Sequence, residues 1–351
     1  MKKVLFLSAI AAMAMASCSN DQVFDQPQND GDYITLRAAG GTRGIAVGDA
    51  VGLQATTFRA VGLEPDGNAY LDATVSYSTD WTYSPKKAWP TAALDFYAVN
   101  PATNANLTDV TIDGANKKFT YEVPTDVAEQ VDVMYSVKKA QRKSNRTVDF
   151  LFKHALAQVA FKATTTDAKY SAEIGGIEVH NLKNKGTFTY PEMNTAAGAA
   201  SNGSWANEES VDNYAIGTVD GVPVTAINNT GKAVSADNGM LMILPQSTTK
   251  WTTTKETAVK ISDADASKQC YLKIQLKLKE NNSYIVGSAD DFATVYMPFG
   301  YEWQMGKKYI YNLKFGNGAG YDENGDPILQ FIEFNPTVDP WIEEQVVDID
   351  M

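Results

Sequence analysis

The chain has 351 residues, 44% hydrophobic and 21% charged, a balance that fits folded protein and argues against wholesale disorder. Its length exceeds the size at which one hydrophobic core stops growing, so two domains of roughly 130 to 200 residues are expected. The net charge of −12 becomes −14 once a leader carrying Lys2 and Lys3 is removed, which argues against nucleic acid or anionic lipid as a partner through bulk charge, and no basic stripe stands out along the chain.

Residues 1–17 read as a secretory signal: lysines at 2 and 3, an apolar stretch over 4–15, then Ala16 and Ser17 before Cys18. Met15-Ala16-Ser17-Cys18 resembles the bacterial lipobox, in which a small residue precedes a cysteine whose thiol takes a diacylglycerol. Two or three acyl chains at about 0.8 kcal/mol per buried CH₂ anchor a protein stably in the outer membrane. Acylation of Cys18 leaves Cys270 without an intramolecular disulfide partner. Residues 18–32, polar and interrupted by Pro27 and Gly31, form the expected tether.

Short segments rich in β-branched and aromatic residues follow at 33–38, 69–77, 94–99, 119–123 and 131–137, separated by Gly, Pro, Asn and Asp. The basic run KKAQRKSNR at 138–146 is the expected inter-domain connection, closing an N-terminal β-sandwich over 33–146. A second strand series at 148–152, 157–163, 174–181, 186–190, 240–244, 258–261, 271–278, 294–299 and 309–315 forms a C-terminal sandwich over 147–351. In 271–278 the alternation of Leu272, Ile274, Leu276 and Leu278 with Tyr271, Lys273, Gln275 and Lys277 predicts one core face and one wet face. Residues 192–232, rich in Ala, Gly, Ser and Asn, read as a surface loop insertion. The fold class is all-β.

Catalytic chemistry is hard to find. His154 and His180 lie in or beside strands without metal-spaced partners, and Cys270 opens an alternating strand as a small core residue. Nucleotide loops, nucleophile elbows and zinc-protease motifs are missing from the sequence, so neither an enzyme nor a cofactor is expected. Asp322, Asn324, Asp326 and Glu333 occupy the first, third, fifth and twelfth places of a calcium loop, but Pro327 stands where that loop needs Gly, and the competing reading is a plain turn. Trp81, Trp89, Trp205 and Trp303 would stack on sugars if they shared an exposed face, which keeps a surface glycan-binding lipoprotein as the alternative reading.

The phrases WTYSPKKAWP, LDFYAVNPA, DVMYSVKKAQRKSNRTVDFLFKHALAQVAFKAT, WQMGKKYIYNLKF, GAGYDENGDPI and IEFNPTVDPWIEE, in this order, resemble the fimbrillin-like pilin family of Bacteroides-type bacteria. The resemblance implies two tandem transthyretin-like β-sandwich domains, export as a lipoprotein to the cell surface, and a structural or adhesive role in a fimbria built from other fimbrial subunits, with a host or bacterial surface receptor as a further partner. It also implies that a trypsin-like protease removes an N-terminal segment after an arginine and that subunits then join by strand donation. Arg43, flanked by glycines at 40, 41 and 44, is the better candidate for the cut, with Arg37 the alternative. Val347, Ile349 and Met351 share one parity and are candidate groove-filling side chains of a donated strand, the equal alternative being an ordinary final strand of the second sandwich.

Overall fold

A computed structural model describes residues 32–39, 50–192, 202–216, 225–228, 232–234, 240–316, 318–329 and 336–340. Among them the regular secondary structure is nearly all strand, with two short α-helices, Ala50–Gln54 and Ile261–Ala266, so the all-β expectation holds.

The N-terminal half is organised around one antiparallel sheet, ordered Lys153–His154, Met134–Gln141, Leu94–Asn100, Phe58–Leu63, Ala69–Tyr77, Trp81–Thr82. Its inner strands are buried on both faces. Phe58, Ala60, Phe96, Ala98 and Met134 belong to one hydrophobic cluster, whereas Val61, Leu63, Tyr97, Val99 and Tyr135 on the alternate parity belong to another. Gly62 permits this packing, because a Cβ there would stand 2.7 Å from Cε1 of Phe96. Over the first face lies a parallel pair, Thr35–Ala39 with Thr147–Leu151. The second face shares its cluster with Phe119, Tyr121 and Phe188, which come from the sheet Ser204–Asn207, Lys185–Thr189, Lys117–Glu122, Leu107–Ile112.

Two further sheets carry most of the C-terminal half. Ala157–Thr165 pairs in parallel with Lys307–Phe315, which in turn pairs antiparallel with Pro336–Pro340. In the other, Tyr170–Lys183 pairs with Tyr271–Glu280, whose Leu272, Ile274, Leu276 and Leu278 are all fully buried. Its opposite face is drier than alternation predicts. Tyr271 is buried with Trp251 and Ala264 of the Ile261–Ala266 helix, and the ammonium of buried Lys277 donates to the Ala289 carbonyl at 2.6 Å.

Strand pairing crosses residue 146 in both directions. Thr147–Leu151 pairs with Thr35–Ala39, and Lys185–Thr189 pairs with Lys117–Glu122. The basic run itself extends the strand Met134–Gln141 and then closes into a 3-10 turn, Lys143–Asn145.

Two sequence expectations are corrected. Residues 258–260 are irregular and Ile261 begins a helix, its N–H donating to the Glu323 carbonyl at 3.0 Å; the apolar run was too short to distinguish strand from helix start. The segment 192–232 is more than loop, because it contributes Ser204–Asn207, Val211–Ile216 and Thr225–Ile227 to sheets, anchored by buried Tyr214, Ile216 and Ile227. Its small-residue composition hid these few anchors.

Candidate strand-exchange site

The N-terminal strand reads as a strand because its apolar residues alternate: Ile34, Leu36 and Ala38 are buried, while Tyr33 is exposed and Thr35 half-buried. They join a cluster rich in aromatic rings. Phe58 meets the rings of Trp81, Phe150 and Phe152 at centroid distances of 5.3, 5.5 and 5.3 Å, and Phe96 meets Phe150 at 6.2 Å. Edge and tilted contacts at such distances are the favourable aromatic arrangements.

Backbone contacts fix the strand along its length. Leu36 lies opposite Val148 and Ala38 opposite Phe150 in the parallel ladder. At its start, Ile34 N–H donates to the Lys87 carbonyl at 2.8 Å, Trp89 N–H donates to the Asp32 carbonyl at 2.9 Å, and the Tyr83 hydroxyl donates to the Ile34 carbonyl at 2.9 Å. Thr147–Leu151 is the only strand paired with Thr35–Ala39 among the described residues. A strand so arranged has apolar side chains in a trough and one strand partner, with an isolated antiparallel bridge from Tyr33 to Ala88 at its start.

Arg37 is built into that ladder. Its side chain is 12% exposed and its Nε donates to Asp149 Oδ1 at 3.1 Å. A protease needs an extended, accessible segment, so Arg37 is a poor substrate while the strand is seated. Arg43 lies outside the described residues, as do Cys18, Glu333, Val347, Ile349 and Met351.

The remaining sequence candidates fall into separate places. His154 Nδ1 lies 2.7 Å from Asp132 Oδ2, both side chains being buried. His180 sits in a different network: its Nε2 is 2.8 Å from Glu178 Oε2, and its Nδ1 is 2.9 Å from the Tyr271 hydroxyl, which is also 2.9 Å from Asp265 Oδ1. Burial holds the His180 imidazole below its ordinary range despite Glu178. Burial also pushes Glu178 up, but hydrogen bonds from Lys273 and His180 outweigh it and hold that carboxyl below the usual range. Cys270 is fully buried, and desolvation pushes its thiol far above the ordinary range, so it is no nucleophile as placed.

Asp322, Asn324 and Asp326 form a turn closed on itself, with Asp322 Oδ1 accepting from the N–H groups of Asn324 at 2.8 Å and Asp326 at 2.9 Å. Gly325 takes the left-handed conformation there, φ +84°. The four tryptophans do not form a sugar platform: Trp81 and Trp303 are buried, and half-buried Trp89 and Trp205 pack on different clusters.

Residues 37–341 match the model of the fimbrillin-like family. The chain belongs to that family. No curated protein matches it in sequence. Among solved structures it is similar to a fimbrial protein from Bacteroides vulgatus, at 15% identity and a TM-score of 0.54, covering 88% of this chain and 99% of that one. A putative cell adhesion protein from Bacteroides uniformis aligns at 15% identity and a TM-score of 0.47, over 89% of this chain and 100% of that one. The tip fimbrial protein Mfa3 from Porphyromonas gingivalis aligns at 9% identity and a TM-score of 0.45, over 88% and 99%. The first of these establishes a shared fold, and the family match begins within the seated N-terminal strand, at Arg37, and runs through Pro336–Pro340.

Sequence reading missed two features of this fimbrillin-like chain. The Glu178–His180–Tyr271–Asp265 network depends on a cross-strand register, His180 opposite Tyr271, that no local pattern reveals. Two cationic segments more than 50 positions apart, one with Lys86 and Lys87 and one with Arg142, Lys143 and Arg146, both reach Asp32, through Trp89 N–H and the Lys143 ammonium.

Proposed function

We propose that this fimbrillin-like chain is a structural or adhesive subunit of a surface fimbria, exported as a lipoprotein through Cys18 to the outer membrane and assembled by strand replacement. Cleavage after Arg43 releases everything N-terminal to it, including Thr35–Ala39. That leaves Thr147–Leu151 with an unpaired edge and uncovers the trough beneath Ile34, Leu36 and Ala38. The C-terminal segment of another copy fills it, with Val347, Ile349 and Met351 in the three vacated sites.

The observation that carries this reading is the strand's combination of three buried alternate side chains with a single strand partner. Burying such side chains is worth about 1.5 to 3 kcal/mol each for the larger ones, so a replacement strand of equal apolar content is a durable joint. The partners are other fimbrial subunits and, for an adhesive role, a receptor on a host or bacterial surface. The test is the mature N-terminus of the surface-extracted protein by mass spectrometry. The proposal expects a chain beginning at Gly44 in polymer and an acylated Cys18 in the uncut precursor; polymer built from chains that retain Thr35–Ala39 would overturn it.

A further inference from the structure

Against an overall charge of −12, the seated strand begins inside a ring of positive charge. Two segments meet at Asp32. Its carbonyl accepts from Trp89 N–H at 2.9 Å, immediately after exposed Lys86 and Lys87, and its carboxylate pairs with exposed Lys143 at 2.5 Å. The turn holding Lys143 also carries exposed Arg142 and Arg146, and Thr147 opposite Thr35 follows directly. Among the described residues none of Lys86, Lys87, Arg142 and Arg146 has an acidic partner. Lys86 and Lys87 rest instead over the rings of Tyr83 and Tyr70, at 4.8 and 5.4 Å.

Asp32 lies N-terminal to Arg43, so a cut there removes the one acid that this ring holds among the described residues. We infer that the ring is a docking collar for the acidic C-terminal segment of a second copy, and that it sets the direction in which that segment enters the trough. The inference rests on the strand replacement proposed above and adds the partner's charge to it.

The segment 341–351 reads WIEEQVVDIDM and contains four acids and no base. Placing Val347, Ile349 and Met351 at the sites of Ile34, Leu36 and Ala38 is a shift of 313 positions, in the direction of the strand replaced. Gln345 then falls at the position of Asp32, and Glu343 and Glu344 come just before it in the chain, at the collar end of the trough. In this direction both acids enter at the collar end of the trough, whereas the reversed direction carries them to the far end, and a slip of two residues leaves one apolar site unfilled, so charge selects the direction and apolar content the register. The cost is Asp350 at the place of Arg37, beside Asp149; that carboxylate is 45% exposed, so the like-charged pair is partly screened by solvent.

The collar acts first on encounter, since opposite charges across an approaching pair raise association rates and the effect falls with salt. The experiment uses the full chain cut at Arg43 and a fluorescent peptide of residues 341–351, with association followed by stopped-flow anisotropy. The association rate should fall about tenfold between about 20 mM and about 500 mM NaCl. The triple variant Lys87→Glu, Arg142→Glu, Lys143→Glu should lose about the same factor at low salt. A peptide with Glu343→Lys and Glu344→Lys should recover binding to that variant, which shows that the variant is folded. Asp350→Lys in the peptide should slow its dissociation severalfold, as the stated register requires.

If the native peptide binds but neither salt nor charge reversal changes its rate, the collar is overturned while strand replacement stands. Failure of the native peptide to bind the cut chain at any salt removes replacement by this segment, and the collar with it. Collar-dependent sedimentation with phosphatidylglycerol vesicles, without an effect on the peptide, would assign the ring to an anionic membrane surface and overturn the inference.

Discussion

Replacing Leu36 by Ala tests whether the N-terminal strand is held by its side chains as strongly as the trough implies. Leu36 is 1% exposed and shares its cluster with Phe58, Phe96 and Phe150. The change removes about three methylene equivalents, worth about 2.4 kcal/mol in transfer, and leaves a cavity that the rigid aromatic rings around it close only in part. A loss of about 3 kcal/mol is expected, toward the lower end of measured Leu→Ala costs because an edge strand can settle into the gap. Urea unfolding of the uncut chain reports it through Trp81 and Trp89, which lie in or against the same cluster. Thr35→Ala, at a half-buried site on the opposite parity, is the control and should cost less than about 1 kcal/mol. Equal small effects at both positions would show that the strand is not seated as described, and would remove the energetic basis for its replacement.

Other expectations follow from the same structure. Tyr271→Phe removes the hydroxyl between His180 and Asp265 and should cost about 1 to 3 kcal/mol by thermal or urea unfolding; no loss would mean that those contacts are solvent-compensated. Because His180 and Glu178 are both held below their ordinary values, the unfolded chain takes up protons before the folded one does. Stability contributed by this pair should therefore be present near neutrality and decline as pH falls from about 7 to about 4, first through the histidine and then the carboxylate range. Glu178→Gln together with His180→Gln should flatten that decline, and an unchanged pH profile would contradict the assignment. Gly325→Ala forces a side chain into φ +84° and places its Cβ 2.5 Å from the Val259 carbonyl, so a loss of more than about 1 kcal/mol in unfolding free energy is expected. Cys18→Ser should abolish fatty-acid labelling in cells; labelling that persists would place the lipid elsewhere.

Strand content was legible where β-branched and aromatic residues were dense between turn residues. The segment at 69–77 matches its observed bounds, and those at 94–99 and 148–152 fall within a residue of theirs. Phe58–Leu63, buried on both faces like Leu94–Asn100, was missed because Arg59 and Gly62 interrupt FRAVGL and it has a single β-branched residue. Leu107–Ile112 was missed for the opposite reason, being an edge strand with exposed Thr108 and Asp109 and a register shift. The run at 138–146 reads as a connection because it is basic and polar, and only the fold shows Lys143 paired with Asp32 and Lys139 with Asp95. For the same reason a chain of net charge −12 hides a local cationic surface. The N-terminal strand could be read from sequence, but not its parallel partner, since register over more than 100 intervening residues leaves no local trace.

The central claim, that copies join by exchanging the N-terminal strand for a C-terminal one, is tested most directly on an unheated denaturing gel of chains treated with an arginine-specific protease. The wild-type chain should give a ladder of oligomers that collapses to monomer on boiling. Chains lacking residues 344–351, and the Arg43→Ala variant, should run as monomers while remaining folded by circular dichroism. Ladders from the truncated chain, or monomers alone from fully cut wild type, would contradict the account.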